Sequence, residues 1–279
     1  MISNLKQILP GTKLTVQRAG FLFLILGIGV LIIGYLITHP GEPLDLRMII
    51  SDLYPNISSE LIGIAVTVLI IDSIYRKYEF RNQEQRKHDQ LVRQFGSSVN
   101  AVAKHAGEEL RAYGWLTDGS LQEMDFRVAN LEDAKLWEAD LQGVNLQWAK
   151  LKRANLNNSV LAGANLTQAN LQAARLRDAD LRGANLFEAK LYRINGLNTL
   201  FQNADLSGAH LEGARLENAD LRNAILTGAH FDELTIMPDG LRWSPECDLN
   251  RFTDPAHPNF FRQQTISRDA TEADTETEL

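Results

Sequence analysis

From Leu121 to Phe231 every fifth residue is Leu, with Phe126, Gly196, Phe201 and Phe231 as the departures, and two residues before it stands Ala in 17 of 23 units. A period of five fits neither the 3.6 of a helix nor the 2 of a flat strand. It predicts a short straight piece and a corner, repeated. Such a solenoid is mostly surface, which favours binding over catalysis.

Upstream the apolar pattern changes. Residues 21–38 carry no charge and, with Ala19 and Gly20, give about twenty residues, the length that crosses roughly 30 Å of hydrocarbon as a helix. The stretch is longer than the h-region of a signal peptide and leaves through Thr38-His39-Pro40-Gly41, with no small-residue cleavage pattern. Residues 61–71 are apolar without interruption but short; they span only with help from Ile57 and from Ile74-Tyr75. The expected architecture is therefore an N-terminal segment (1–18) followed by a transmembrane helical hairpin (19–75), its spans at 19–38 and 57–75. Lys6, Lys13 and Arg18 precede the first span, and Arg76, Lys77, Arg81, Arg86 and Lys87 follow the second. The connecting loop has Arg47 against Glu42, Asp45 and Asp52. Basic flanks face the cytoplasm, so both termini are expected there.

Gly20, Gly27 and Gly34 are spaced by seven and share one helix face, while Gly63 and Thr67 form a small-xxx-small pair on the second helix. Small residues let helices approach closely in lipid. The seam can join two chains as a homodimer or the two spans of one chain; the short loop favours the latter. Asp72 stands at the inner edge of the second span, where an ion pair with Arg76 one turn on is its plainest role.

Residues 76–118 are expected to be connecting helices. Leu91, Phe95, Val99, Val102, Ala106, Leu110 and Tyr113 form one apolar stripe at helical spacing, and Gly96-Ser97-Ser98 is read as a C-cap followed by an N-cap. The stripe can dimerise as a coiled coil or fold over the open first coil of the solenoid. Gly114 and Asp118-Gly119 turn the chain into the repeat.

Composition narrows the functions. Of 279 residues 44% are hydrophobic, enough for a core, and the formal charge of -7 argues against a general nucleic-acid binder. The single cysteine, Cys247, excludes an internal disulfide and any multi-cysteine metal site. No glycine-rich phosphate loop, G-x-S-x-G, HExxH or Cys-His pairing is present, so no catalytic residue, cofactor or metal is assigned.

Stretches such as Ala164-Asn165-Leu166-Thr167-Gln168 and Ala204-Asp205-Leu206-Ser207-Gly208 resemble the pentapeptide repeat family, whose motif is A(D/N)LXX, over residues 119–233. The resemblance implies a mainly β fold: a right-handed quadrilateral β-helix, one pentapeptide per side, with the Leu and Ala pointing inward. Four units to a coil give about six coils and a rod about 28 Å long at roughly 4.8 Å per coil. The arrangement of hydrophobic helices, connecting helix and rod is similar to membrane-anchored bacterial members of that family. Its quinolone-resistance members imply a second reading, a DNA-mimicking protein that binds gyrase.

With twenty residues per coil, residues twenty apart lie above one another. Lys150, Lys152 and Arg153 then stack with Lys190, Tyr192 and Arg193 on one side, with Arg175 and Arg177 at the neighbouring corner. Residues 150–193 hold eight Lys or Arg against three acids, whereas 121–235 hold twelve against fifteen. This basic waist opposes DNA mimicry and is the candidate docking site for an acidic protein partner or a phosphate-bearing ligand. Its plain alternative is a solvated face. Gly143, Gly163 and Gly183 stack on a second side, and Trp148 and Phe187 share a third. At Gly196 the large and small positions exchange, with Ile194 expected to fill the space. His210 and His230 stack near Glu212 and Asp232; a polar ladder is the commoner outcome there than a zinc site, since no third His or Cys closes the shell. Met237-Pro238-Asp239-Gly240 is expected to stop the repeat. Residues 236–262, with Trp243, Phe252, Phe260 and Phe261, are expected to cap the last coil, and residues 263–279 to form an acidic disordered tail.

Overall fold

The computed structural model describes residues 46–263, together with residues 29, 33, 36, 37, 40 and 41. It divides into two compact units, Met1–Gln85 and Arg86–Leu279. Helix α1 runs Leu46–Phe95, α2 Asn100–Ala112 and the short α3 Asn250–Thr253, with the repeat rod between α2 and α3.

The N-terminal helices differ from expectation. Most of the first expected span, with its glycines Gly20, Gly27 and Gly34, lies outside the described residues. The second, with Gly63 and Thr67, is helical but is the interior of one 50-residue helix rather than an arm bounded by loops. Helix α1 extends back through the expected loop and past Pro55, against the local propensity there. Among the described residues no helix is long and apolar enough to cross a membrane. Asp72 pairs with Arg76 at 2.7 Å across one turn.

In the rod each pentapeptide is one side of a coil. The residue before the inward Leu forms a parallel bridge to the residue twenty positions on, without a break from Asp125↔Asn145 to His210↔His230. The ladder is regular: Asn165 N–H donates down to the Val144 carbonyl at 2.9 Å, and Leu166 N–H donates up to the Asn185 carbonyl at 2.7 Å. Corners are closed by a hydrogen bond from the Ala N–H to the preceding Leu carbonyl, as in Ala169 to Leu166 at 3.0 Å. The inward Leu and Ala side chains are buried nearly without exception, in one continuous core. Where Ser159 and Thr199 replace Ala, each hydroxyl donates to a main-chain carbonyl at 2.7 Å, so no polar group is stranded. Ile194 and Phe201 are fully buried beside Gly196, and the twenty-residue offset continues through Arg175↔Asn195↔Arg215, so Ile194 does fill the exchanged position.

Every corner places its third residue in the left-handed region. From 123 to 228 each such position has φ between 52° and 68°, yet only Gly143, Gly163, Gly183, Gly208, Gly213 and Gly228 among them are glycine. Val128, β-branched, sits at φ 54°. That is strain the ladder overrides.

The open first coil is covered by helix. Phe95 packs edge-on to Phe126 at 4.9 Å, and Leu91, Ala103, Ala106 and Leu110 are buried against the rod. The expected stripe is corrected at Val99, Val102 and Tyr113, all exposed, because the break at 96–99 restarts the helical phase and turns Ala103 and Gly107 inward instead. Nor does a serine cap α2: Val99 is its N-cap, and Ser97 Oγ accepts the Val99 N–H at 3.1 Å. Gly96 serves close approach, since a Cβ there would stand 3.3 Å from Phe126 Cδ1. Gly114, at φ 78°, closes α2 as expected.

The edge itself is satisfied atom by atom. Asn130 N–H donates to the Ser97 carbonyl and Asp140 N–H to the Leu116 carbonyl. Asn100 Nδ2 donates to the carbonyls of Asn130 and Glu132, and Arg111 Nη2 to those of Lys135 and Trp137. These four carbonyls are the ones a preceding coil would engage.

At the far end the repeat continues one unit beyond expectation. A single extra residue after Phe231 changes the offset to 21 at Arg215↔Ile236, and Thr235 and Met237 then take the inward positions. Asp232 holds this step, accepting N–H bonds from Gly213 at 2.7 Å and Leu234 at 3.1 Å. Phe252, the buried residue of α3, has Phe261 packed against it, and Trp243 stacks on Phe231.

Candidate interaction surface

The Asp or Asn of each pentapeptide has a local duty. The N–H two residues on points away from the ladder, and in twelve units the Asp or Asn Oδ1 accepts it, as Asn165 does for Thr167 at 3.1 Å. This is an Asx-turn repeated down the rod, and it explains the residue type at that position.

The exceptions are not scattered. On the wall of Asn130, Lys150, Asn170, Lys190, His210 and His230, and on the next wall of Lys135, Asn155, Arg175, Asn195 and Arg215, seven bridge positions hold Lys, Arg or His. On the other two walls only Val160, Leu200 and Ile225 depart from Asp or Asn, and none is charged. Cationic and imidazole side chains have displaced the capping residue on two adjoining walls alone.

The ladder brings together most of the expected basic residues. Lys150, Asn170 and Lys190 are bridged in succession, placing Lys150, Lys152, Lys190, Tyr192 and Arg193 on one wall, with Arg175 and Arg177 on the next. Among the described residues Lys150, Lys152, Arg175, Lys190 and Arg193 enter no ion pair. Arg153 is less available: it is bidentate to Asp133 one coil below, at 2.6 and 2.7 Å. That pairing holds Asp133 below the ordinary carboxylate range and raises Arg153. Arg177 lies 4.0 Å from Asp178. Arg182, counted in the waist by sequence, sits on a different wall, tied to Asp180 at 2.6 Å.

Above the waist the same wall becomes aromatic. Tyr192 stacks on His210 with centroids 5.0 Å apart, and His210 on His230 at 4.7 Å. Burial, then the Glu212 carboxylate, pushes the Tyr192 phenol up. His210 Nδ1 stands 3.3 Å from Glu212 Oε1. Asp232, expected to join this group, is engaged instead by main-chain N–H groups at the register step.

Trp148 and Phe187 stay exposed on their wall, at 48% and 40%. Trp148 Nε1 donates to Gln168 Oε1 at 2.6 Å, and Gln168 Nε2 to Glu188 Oε2 at 2.7 Å, a polar ladder across three coils. Gly143, Gly163 and Gly183 stack at the corner positions of another wall. Sequence reasoning missed Asn100 and Arg111. The second stacks its guanidinium 3.8 Å over Trp137, and no spacing rule links α2 to a coil edge.

Comparison with known proteins bears on the repeat. The family model for pentapeptide repeats matches eight copies over residues 116–147, 149–186, 164–195 and 199–233. Among solved structures the chain is similar to HetL, a pentapeptide repeat protein involved in heterocyst differentiation regulation from the cyanobacterium Nostoc sp. strain PCC 7120. Identity is 34% and the TM-score 0.14, covering 43% of this chain and 75% of that one. It is also similar to the pentapeptide repeat protein Rfr23 from the cyanobacterium Cyanothece 51142, at 30% identity and TM-score 0.24, covering 42% and 83%. QnrB1, a plasmid-mediated fluoroquinolone resistance protein, matches at 16% identity and TM-score 0.40, over 42% of this chain; the chain spans 58% of that structure's length. No curated protein matches the chain. Five-residue periodicity, inward Leu and Ala, and the family match over residues 116–233 together place the chain in the pentapeptide repeat family, whose repeats imply a right-handed quadrilateral β-helix.

Proposed function

We propose that the chain is a non-enzymatic scaffold, tethered to a bacterial inner membrane by its N-terminal apolar segments, which presents the repeat rod to an acidic protein partner in the cytoplasm. One observation carries the reading. The capping Asp or Asn, useful wherever it stands, is given up for Lys, Arg or His on two adjoining walls and for no charged residue elsewhere. At Lys150, Arg175 and Lys190 the departure brings no ion pair among the described residues, and a departure from a local folding rule without a structural return marks a functional position. Lys150, Lys190, Arg175 and Arg193, without an ion pair among the described residues, present a field that steers an acidic surface.

Two further features support the tether. Residues 21–38 are uncharged, and in α1 Ile64, Leu69, Ile70, Ile71 and Ile74 are each more than half exposed within this chain. The gyrase-binding reading is less favoured, since a DNA mimic needs a strongly acidic face and the Lys, Arg and His on two adjoining walls oppose it.

The test is photo-cross-linking in native membranes, with a photoreactive residue at Asn170 between Lys150 and Lys190. A discrete protein adduct is expected, lost when Lys150, Lys190, Arg175 and Arg193 are changed to Glu and kept when Arg182 and Arg222 are. An adduct indifferent to all these changes would overturn the reading, as would dose-dependent inhibition of gyrase supercoiling by the purified chain. Release of the chain from membranes by a high-salt wash would overturn the tether alone.

A further inference from the structure

We propose that His210, Glu212 and His230 form a binding site for one zinc-class divalent cation at the C-terminal end of the rod. The three side chains bring one donor atom each to within 4.8 Å of one another. They come from adjacent coils: His210 and His230 are bridge partners, and Glu212 lies two residues along the same wall as His210. Two imidazole nitrogens and one carboxylate oxygen are the donor set that holds zinc with one position left for water.

Glu212 supplies the observation that stacking alone does not explain. Its Oε1 faces His210 Nδ1 at 3.3 Å, while its Oε2 is buried and has no hydrogen-bond partner. A carboxylate oxygen removed from water and left unmatched is costly, and a cation at its side relieves that cost. The imidazoles occupy two successive bridge positions where the rod elsewhere prefers a capping Asn, as at Asn130 and Asn170 of the same wall. Below them Tyr192 closes the stack, leaving the group open on one side.

The geometry requires one adjustment. The two rings are near parallel, 12° apart with centroids at 4.7 Å. Zinc–nitrogen bonds of about 2.0–2.1 Å need the nitrogens no more than about 4.2 Å apart, with each ring edge turned to the metal. Rotation about the bond to each ring provides this, since His230 is exposed and the His210 side chain is about one-third exposed. The ion would then clamp the last two coils in regular register, beside the step to a 21-residue offset.

The experiment is calorimetric titration of the untagged full-length chain with zinc chloride, followed by cobalt(II) substitution read by visible absorption. One ion per chain and the absorption bands of a tetrahedral cobalt site are expected. His210→Ala, His230→Ala and Glu212→Gln should each weaken binding by about 10- to 100-fold, with circular dichroism confirming an intact rod. His105→Ala, on α2 at the opposite end of the rod, should leave it unchanged. No saturable binding to the wild-type chain, or binding that survives the double change His210→Ala with His230→Ala, overturns the proposal.

Discussion

Asn100 stands in for a coil that is absent: its side-chain amide donates to the carbonyls of Asn130 at 3.2 Å and Glu132 at 2.9 Å, bonds that two main-chain N–H groups make everywhere else in the rod. Arg111 does the same for Lys135 and Trp137 on the next wall. Asn100→Leu and Arg111→Met keep much of the volume and remove the donors. Each should lower stability by about 1–3 kcal/mol, since edge carbonyls lose partners at a covered site. Together they should promote concentration-dependent association through the bared edge, visible by light scattering.

The capping rule separates structural from functional residues. Asn165→Ala should lower stability by about 1 kcal/mol by leaving the Thr167 N–H unmatched. Lys150→Asn and Lys190→Asn should have the opposite sign, raising stability by up to about 1 kcal/mol each, while weakening capture of the acidic partner. Chemical denaturation and cross-linking on the same variants check both halves.

Val128 holds a β-branched side chain at φ 54°, where Asn and Gly are at ease. Val128→Asn should stabilise the rod by about 1 kcal/mol and raise the thermal midpoint by a few degrees. The reverse strain is available at Gly196. A Cβ there would stand 3.2 Å from the Arg215 carbonyl oxygen and 3.3 Å from Leu216 Cδ2. Gly196→Ala should therefore cost about 1–3 kcal/mol, as overpacked cores do.

Acid should loosen the rod in a defined way. Burial pushes the carboxyls of Asp180 and Asp232 up, but their hydrogen bonds outweigh it: Arg182 with its own N–H for Asp180, and the Gly213 N–H, Thr235 hydroxyl and Leu234 N–H for Asp232. Both end below the ordinary aspartate value of 3.8. Carboxyls depressed by folding contribute stability that is fully present above that value and is lost as pH falls through the lower folded one. The thermal midpoint should thus decline below about pH 4, and Asp180→Asn and Asp232→Asn should each flatten the decline while lowering the plateau at neutral pH.

Much of the rod is legible from one residue in five, because a side chain that must fill a narrow axis leaves a fixed interval. The basic column is legible for the same reason, once twenty residues make a coil. The left-handed corners are not, since Glu138, Trp148 and Arg153 have no intrinsic preference for φ near 58°; the ladder imposes it. The extra residue at Phe231–Ile236 is hidden because Thr235 and Met237 imitate Ala and Leu only after the shift. Asn100 and Arg111 escape because they serve main-chain atoms, which carry no sequence signature. The reach of α1 through Pro55 runs against local propensity, and Pro55 pointed the other way.

The twenty-residue offset, unbroken from Asp125 to His230, makes this rod a counting device. Removing 161–180 would shorten it by about 4.8 Å and return every later side chain to its own wall. Removing only 161–165 would swing everything beyond by a quarter-turn, carrying Lys190 and His210 round to a neighbouring wall while Lys150 stayed behind. Gene duplications and deletions of one full circuit are thus nearly silent for shape, whereas those of a single pentapeptide rewire which chemistry faces which way.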